Sequence, residues 1–145
     1  MVSKIEINEL ERFNELGLIV NSNFSKVYDL NKINDSQYDD VYGYYIDTKL
    51  VAFIHITKLY ETMDVVNIVV DNEYRKQGIA TKLLDYVVGL YDDIDNVMLE
   101  VNENNVAAIS LYKKNGFEVI SKRNNYYGSD AALIMKRVVE NEERY

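Results

Sequence analysis

Apolar and polar residues follow two different periods along the chain, and the changes between them predict where strands and helices lie. Ile5 and Ile7 alternate with polar residues, which predicts a short first strand. Apolar residues at helical spacing follow: Leu10, Phe13, Leu16, Leu18, Phe24, Val27 and Leu30. Residues 31–40 (NKINDSQYDD) are polar and prone to turns, so we expect a loop that borders a binding cleft.

The middle of the chain predicts a hairpin, a third strand and an amphipathic helix. Residues 41–47 and 50–59 are rich in β-forming side chains and flank a turn at Asp47-Thr48-Lys49. Another apolar run covers 63–70. From Gly78 onward apolar residues recur at helical spacing, which predicts a helix that covers a sheet. They are Ile79, Leu83, Leu84, Val87, Val88 and Tyr91.

After this helix we predict a strand that runs parallel to the one at 63–70. Residues 97–101 alternate between apolar and polar, and a strand, helix and strand of these lengths imply a right-handed parallel crossover. Val70 and Glu100 are then expected near the ends of neighbouring strands. A short helix follows, which Asn104 or Asn105 can cap.

The chain closes with a predicted antiparallel pair of strands. These cover 117–122 and 131–136 and are joined by a polar, aromatic loop at 123–130. The charged tail from Val139 onward is expected to fray. No repeat or linker divides the sequence, so we predict one α/β domain over residues 1–145.

Composition narrows the class of protein. A chain of 145 residues and 16.9 kDa fits one domain with a single core. It has no cysteine, which excludes disulfides, thiolate metal sites and a cysteine nucleophile. The net charge of -8 disfavours nucleic acid and favours a cationic partner. No stretch of the sequence reaches the roughly 18 apolar residues of a membrane span, so we expect a soluble, cytoplasmic protein.

The junction between the third strand and the helix near Gly78 has the features of an anion site. The first turn of a helix presents backbone N–H groups and partial positive charge. Gly78 and Ala80 are small enough to let an anion approach, and Arg75, Lys76 and Lys82 add positive charge. An ordinary strand-to-helix crossover with solvated basic side chains is the alternative.

The spacing within this junction narrows the ligand. The G-x-x-x-x-G-K-[ST] pattern of P-loops and the G-x-G-x-x-G pattern of dinucleotide sites are both absent from the sequence. The sequence Arg75-Lys76-Gln77-Gly78-Ile79-Ala80 instead resembles the Q/R-x-x-G-x-G/A signature with which the GNAT acetyltransferases hold the diphosphate of acetyl-coenzyme A. The resemblance implies acetyl-coenzyme A as co-substrate and no metal.

A second stretch makes the resemblance more specific. Residues 99–117 (LEVNENNVAAISLYKKNGF) resemble the L-E-V-x-x-x-N-x-x-A-x-x-L-Y-x-x-x-G-F segment of the GNAT branch that acetylates protein N-termini. Residues 123–127 and 131–135 resemble that branch's R-x-x-Y-Y motif and final strand. The similarity is greatest to the bacterial ribosomal-protein-alanine N-acetyltransferases. It implies the GNAT fold, a central mixed and partly splayed β-sheet of about six or seven strands flanked by about four helices.

The resemblance also implies roles for individual residues. Glu100 and Tyr112 fall on the family's general base and general acid, and Asn105 on a residue that reaches the pantetheine arm. Ala80 stands where glycine is commoner in the family. The positions implied to contact acetyl-coenzyme A are Ile68, Val69, Val70, Arg75, Lys76, Gln77, Gly78, Ile79, Ala80, Thr81 and Asn105.

Amine acetylation requires the kinds of group found at these positions. An α-amine with a pKa near ~8 must lose a proton before it attacks a thioester, and Glu100 could accept that proton directly or through water. A backbone N–H at the end of the strand, near Val70, could stabilise charge on the carbonyl oxygen. Tyr112 could protonate the departing thiolate. An exposed strand glutamate and a core aromatic residue are the respective alternatives.

Three further side chains are candidates for the acceptor side. His55, the single histidine, has no carboxylate or serine pattern around it that suggests a triad, so a structural or cleft-lining role is favoured. Tyr126 and Tyr127 follow Arg123 in the predicted loop. We expect them to wall the acceptor site, with packing over the sheet edge as the alternative.

The sequence therefore predicts an enzyme that transfers acetyl directly from acetyl-coenzyme A to a protein N-terminal α-amine, as a monomer or homodimer. A polyamine or aminoglycoside is the alternative acceptor, because the net acidity suits a polycation and residues 25–60 diverge from the family. A protein that binds coenzyme A without turnover is a third possibility.

Overall fold

A computed structural model describes residues 1–19 and 29–139 of the protein, apart from the side chain of Tyr127. Within these ranges the chain forms seven strands and four α-helices. The strands are β1 (Val2–Lys4), β2 (Asp39–Ile46), β3 (Lys49–Leu59), β4 (Thr62–Val70), β5 (Asn96–Asn102), β6 (Glu118–Tyr127) and β7 (Asp130–Val138). The helices are α1 (Leu10–Gly17), α2 (Leu30–Asp35), α3 (Ile79–Gly89) and α4 (Val106–Lys114), with 3-10 turns at Ile7–Glu9 and Asn72–Tyr74. The predicted helical positions Phe24 and Val27 and the predicted frayed tail beyond Val139 lie outside the described residues.

The strands form one mixed sheet in the order β1, β2, β3, β4, β5, β7, β6. β4 and β5 are parallel, with pairs from Thr62 and Asn96 to Val65 and Leu99, and both strands continue beyond the last pair. The pairs β1–β2, β2–β3, β5–β7 and β6–β7 are antiparallel. The predicted α/β architecture and the parallel β4–α3–β5 crossover are confirmed.

Backbone contacts group the described residues into two compact units. Unit 1 takes its residues from Met1–Thr57 and Asn67–Leu90, and unit 2 from Lys58–Val66 and Tyr91–Tyr145. β4 contributes residues to both units. The single domain over residues 1–145 stays a prediction.

Unit 1 has an apolar core built from both helices and strands. The rings of Phe13 and Phe53 lie 4.7 Å apart between centroids. The first strand lies earlier than predicted, because Ile5 follows β1 and points into this core while Ile7 opens a 3-10 turn. The core cluster consists of Ile5, Phe13, Leu16, Leu30, Ile33, Val41, Leu50, Phe53 and Val69.

The segment predicted as a loop at 31–40 is mostly regular structure. Asp29 accepts hydrogen bonds from the backbone N–H groups of Asn31 and Lys32, which caps the short helix α2. Leu30 and Ile33 anchor that helix in the core. The loop prediction was therefore wrong, since two buried residues and one capping carboxylate suffice to hold a helix of six residues in a polar segment.

The predicted hairpin of β2 and β3 is confirmed. Its turn places Asp47 and Thr48 at φ +48° and +72°, the left-handed region that a two-residue hairpin turn requires. Residues 50–56 of β3 are all buried, so this strand is covered on both faces.

In unit 2 the closing strands are longer than predicted. The expected loop at 123–130 is largely strand, because Arg123 pairs with Ala132 and Tyr127 with Asp130 across the β6–β7 ladder. The ladder is irregular between Arg123 and Tyr127, which accommodates the polar residues that had suggested a loop. The hairpin turn contains Gly128 at φ +68°.

Candidate functional site

The last residues of β4 combine a core anchor with accessible neighbours. The side chain of Val69 is 2% exposed and belongs to the core of unit 1, whereas Ile68 and Val70 are half-buried. Because side chains alternate along a strand, Val69 faces the core and its neighbours face the opposite side. Val69 can therefore serve a ligand only through its backbone.

The β4–α3 loop, residues 71–78, is a tight turn shaped by its own polar groups. The Asp71 carboxylate accepts a hydrogen bond from the Glu73 N–H at 3.0 Å, which caps the 3-10 turn Asn72–Tyr74. The Arg75 Nε donates to the Val70 carbonyl at 3.5 Å, so the loop folds back on its strand. Lys76 follows at φ +64°.

Gly78 ends this loop and precedes the first turn of α3. Its φ of +75° lies in the left-handed region, and a Cβ added there would meet no atom within 4 Å. Open space rather than packing therefore surrounds this position. Since glycine has no side chain, the N-cap makes no side-chain hydrogen bond to the first turn of α3. First-turn N–H groups of this kind can receive an anion.

The basic residues of this region differ in what they contact. Arg75 and Lys76 are exposed. The Lys82 ammonium instead donates to the Tyr44 hydroxyl at 3.3 Å and lies 5.6 Å from the centroid of that ring. Lys82 is exposed as well, so all three cations can contribute positive charge to this region.

Glu100 in unit 2 is held by an arginine from the edge of the sheet. Its Oε1 lies 3.2 Å from Nη1 of Arg123, and the side chains are 33% and 54% exposed. The Arg123 guanidinium also lies 5.5 Å from the centroid of the Tyr126 ring. Glu100 and Tyr126 are therefore linked through one cation, a connection that the sequence pattern did not reveal.

A second carboxylate, Asp64, lies close to Glu100 and was also missed. Asp64 is opposite Met98 in the parallel β4–β5 register, so it shares a face with Glu100 two residues further along β5. Burial, and then the negative charge of Glu100, raise the pKa of Asp64 above its ordinary value. The alternation of Met63, Asp64 and Val65 could have identified this face once the parallel register was known.

Tyr112 on α4 is a buried phenol. It is 8% exposed and meets the Phe117 ring edge-on, with 5.7 Å between the centroids. Burial raises the pKa of Tyr112 to about 12. The hydroxyl therefore keeps its proton throughout the neutral range, and it can act as a hydrogen-bond donor there.

Asn105 caps the same helix. Its Oδ1 accepts a hydrogen bond from the Ala108 N–H at 3.2 Å, and the residue is exposed. The predicted cap is confirmed. The cap uses one of the two lone pairs of Oδ1, and the amide nitrogen takes no part in it.

His55 in unit 1 does have a carboxylate partner, contrary to the sequence-based expectation. Its Nε2 lies 2.7 Å from Oδ1 of Asp39, and the Ser36 hydroxyl donates to the other oxygen of Asp39 at 2.8 Å. The β2–β3 register brings Asp39 beside the histidine. The serine bonds the carboxylate rather than the imidazole, which is not the arrangement of a catalytic triad.

Within 1–19 and 29–139, no group of three or more histidine or acidic side chains is arranged to hold a metal ion. None of the helices in these ranges is long and apolar enough to span a membrane.

Residues 8–117 match the model of the acetyltransferase (GNAT) family. The chain belongs to the GNAT family. Among curated relatives it is 33% identical over 93 residues to the ribosomal protein bS18-alanine N-acetyltransferase of Escherichia coli strain K12. That alignment covers 60% of this chain and 63% of the length of the relative.

Two solved structures of N-acetyltransferases share the fold. The ribosomal-protein-S18-alanine N-acetyltransferase of Escherichia coli matches with a TM-score of 0.81 at 23% identity, over 100% of this chain and 98% of that one. The PaiA N-acetyltransferase of Thermoplasma acidophilum, in complex with coenzyme A, matches with a TM-score of 0.80 at 23% identity, over 96% and 98% of the two chains. The predicted GNAT fold is confirmed, while the roles of individual residues stay predictions.

Proposed function

We propose that this GNAT protein is an acetyl-coenzyme A-dependent N-acetyltransferase that acts on the α-amine of a protein N-terminus. The observation that carries the proposal is Gly78, which ends the β4–α3 loop at φ +75° beside open space. A glycine in this conformation lets a diphosphate approach the first-turn N–H groups of α3, where the helix dipole favours an anion. The family membership identifies acetyl-coenzyme A as the compound that carries the diphosphate.

Eleven residues would hold the donor in this proposal. The side chains of Val69 and Ile79 are buried, so these two contribute backbone groups. Arg75 and Lys76 contribute positive charge, and Asn105 contacts the pantetheine arm through its amide nitrogen. The remaining positions are Ile68, Val70, Gln77, Gly78, Ala80 and Thr81.

Glu100 is the proposed base for the acceptor. It removes a proton from the protonated α-amine, directly or through water, so that the nitrogen lone pair can attack the thioester carbonyl carbon. Asp64 adds a second carboxylate on the same face, and the two together attract an ammonium group. Arg123 offsets part of this negative charge and orients the Glu100 carboxylate.

A backbone group and a phenol are proposed to stabilise the negative charges that develop on the carbonyl oxygen and on the departing sulfur. A backbone N–H at the end of β4, near Val70, stabilises the negative charge that develops on the carbonyl oxygen. As the C–S bond breaks and the coenzyme A thiolate leaves, the Tyr112 hydroxyl donates a hydrogen bond to the departing sulfur. With a pKa of about 12, Tyr112 is a weaker acid than an ordinary tyrosine, so its contribution is a hydrogen bond that strengthens as the sulfur becomes negative.

Two observations support a protein N-terminus as the acceptor. The Escherichia coli relative is named for a ribosomal protein alanine. In this sequence Glu100, Tyr112 and the segment 123–127 lie in the stretches that resemble the motifs of that branch. Tyr126 lies against Arg123 and is half-exposed, as expected of a side chain that walls an acceptor site.

Peptide acetylation tests the acceptor. The protein is mixed with acetyl-coenzyme A and a peptide that begins with alanine, or with the same peptide blocked at its N-terminus and carrying a free lysine. We expect acetylation of the first peptide alone, detected by mass spectrometry. Transfer to the lysine peptide alone would refute the proposed acceptor.

A small polyamine or an aminoglycoside is the second candidate acceptor. The net charge of -8 and the carboxylates Asp64 and Glu100 favour a polycation. A panel of such amines, assayed beside the alanine peptide, separates the two candidates by their kcat/KM values. Binding of coenzyme A without turnover of any amine in the panel would support the third possibility, a non-catalytic protein.

A further inference from the structure

Arg12 on α1 holds together three parts of unit 1. Its Nε donates to the Leu50 carbonyl at 2.8 Å, and its Nη2 lies 2.7 Å from Oδ2 of Asp71. Its Nη1 lies 2.6 Å from Oε1 of Glu15. Leu50 begins the buried part of β3, and Asp71 is the first residue after β4. One guanidinium thus ties a helix to the point where the β4–α3 loop begins.

Asp71 connects Arg12 to the β4–α3 loop through its own hydrogen bonds. Its backbone N–H donates to the Val51 carbonyl at 2.9 Å, and its Oδ1 accepts the Glu73 N–H while Oδ2 faces Arg12. Its carbonyl also accepts the Tyr74 N–H at 2.9 Å. Both carboxylate oxygens and both backbone groups of Asp71 are therefore used to set the direction in which the loop leaves the strand.

The ion pair of Arg12 and Asp71 is largely shielded from solvent. The side chains of Arg12 and Asp71 are 21% and 16% exposed, so solvent screens their attraction less than it screens a surface pair. The Arg12 guanidinium holds the pKa of Asp71 below its ordinary value. A lysine cannot reproduce the planar fork that serves Leu50 and Asp71 together.

We propose that Arg12 is a positioning residue for the acetyl donor, acting through Asp71 on the loop that ends in Gly78. Six residues, 72–77, lie between Asp71 and Gly78. A change in the direction in which the chain leaves Asp71 would therefore displace the amides that receive the diphosphate. The proposal rests on the proposed function, because it assigns a ligand to that loop. It adds a residue from α1 that is distant in sequence from the β4–α3 loop.

Direct binding of coenzyme A tests the proposal. Isothermal titration calorimetry compares the wild-type protein with Arg12→Gln, Asp71→Asn and the double variant. We expect each single variant to bind coenzyme A about tenfold more weakly, and the double variant to be no weaker than the single ones, because both changes remove one interaction. Lys4→Gln, which removes the Lys4–Asp40 ion pair of the same unit, should bind like wild type.

Steady-state kinetics separates positioning from general damage. In Arg12→Gln the KM for acetyl-coenzyme A should rise about tenfold with kcat unchanged, and Arg12→Lys should not restore it. Equal affinity of wild type and both single variants for coenzyme A would overturn the proposal. If Arg12→Gln does not fold, Asp71→Asn tests the same pair from the other side. A wild-type protein that fails to bind coenzyme A would instead refute the proposed function.

Discussion

Arg123 reaches across a neighbouring strand to Glu100, with 3.2 Å between Nη1 and Oε1. Glu100 lies opposite Ile134 on β7, and Arg123 lies opposite Ala132 on the same strand, so the guanidinium spans β7 from the edge strand β6. The candidate base is therefore oriented by the strand that also carries Tyr126. This arrangement couples the geometry of the base to the segment proposed to wall the acceptor site.

Replacement of Arg123 by glutamine tests that coupling. We expect kcat/KM for the alanine peptide to fall about tenfold, because the Glu100 carboxylate loses the group that orients it. The free energy of unfolding should change by less than about 1 kcal/mol, since both partners are partly exposed. Stopped assays with the peptide and urea unfolding measure the two quantities.

The adjacent Lys122 provides a matched control. Lys122 is 52% exposed and lies 3.8 Å from Glu103, so Lys122→Gln also removes one cation and one weak ion pair from β6. We expect it to leave kcat/KM unchanged. Equal losses of activity in the two variants would mean that the charge of β6 as a whole, and not the Arg123–Glu100 pair, is responsible.

Replacement of Glu100 by glutamine tests the base itself. Glutamine keeps the size of the side chain but cannot accept a proton from an ammonium, so kcat/KM should fall at least about 100-fold. The affinity for coenzyme A, measured by calorimetry, should not change. Asp64→Asn is the companion variant, and a larger loss of activity there than in Glu100→Gln would identify Asp64 as the base.

Elements that are determined by a few neighbouring residues could be predicted from the sequence. The β2–β3 hairpin followed from its turn residues, and α4 followed from the Asn105 cap. The helix α3 followed from the helical spacing of its apolar residues after Gly78. In these cases the physical cause lies within a few residues along the chain.

Longer-range causes were not visible in the sequence. The helix α2 depends on burial of Leu30 and Ile33 in a core assembled from distant strands. The pair of Arg12 and Asp71 joins residues 59 positions apart, and no periodicity indicates such a contact. The proximity of Asp64 to Glu100 required the β4–β5 register, which hydrophobic alternation alone does not fix.

Replacement of Tyr112 by phenylalanine tests the proposed acid. The ring remains to pack against Phe117, so the variant should fold, while kcat should fall about 100-fold because the departing sulfur loses its hydrogen-bond donor. Unchanged activity would show that another group or water stabilises the departing thiolate.

The raised pKa of Tyr112 gives a separate prediction about stability. The unfolded phenol titrates near 10.0 and the folded one at about 12, so the stabilisation is fully present below pH 10 and is lost as pH rises towards 12. Between pH 9 and 11 the wild-type protein should therefore lose roughly 1 kcal/mol more stability than Tyr112→Phe. Urea unfolding at the two pH values measures the difference, and parallel losses in both proteins would contradict it.

Gly78→Ala tests whether the left-handed glycine forms the donor site, and Gly89→Ala in the same helix is its control. Alanine at φ +75° costs about 1 kcal/mol of stability and projects a methyl group into the open space before the α3 amides. We expect coenzyme A to bind at least about tenfold more weakly to this variant. At Gly89 a Cβ also meets no atom within 4 Å, but the backbone is helical, so Gly89→Ala should leave binding unchanged and stability equal or higher by up to about 1 kcal/mol. Equal affinities in the two variants, measured by calorimetry, would mean that the diphosphate does not approach the backbone at Gly78.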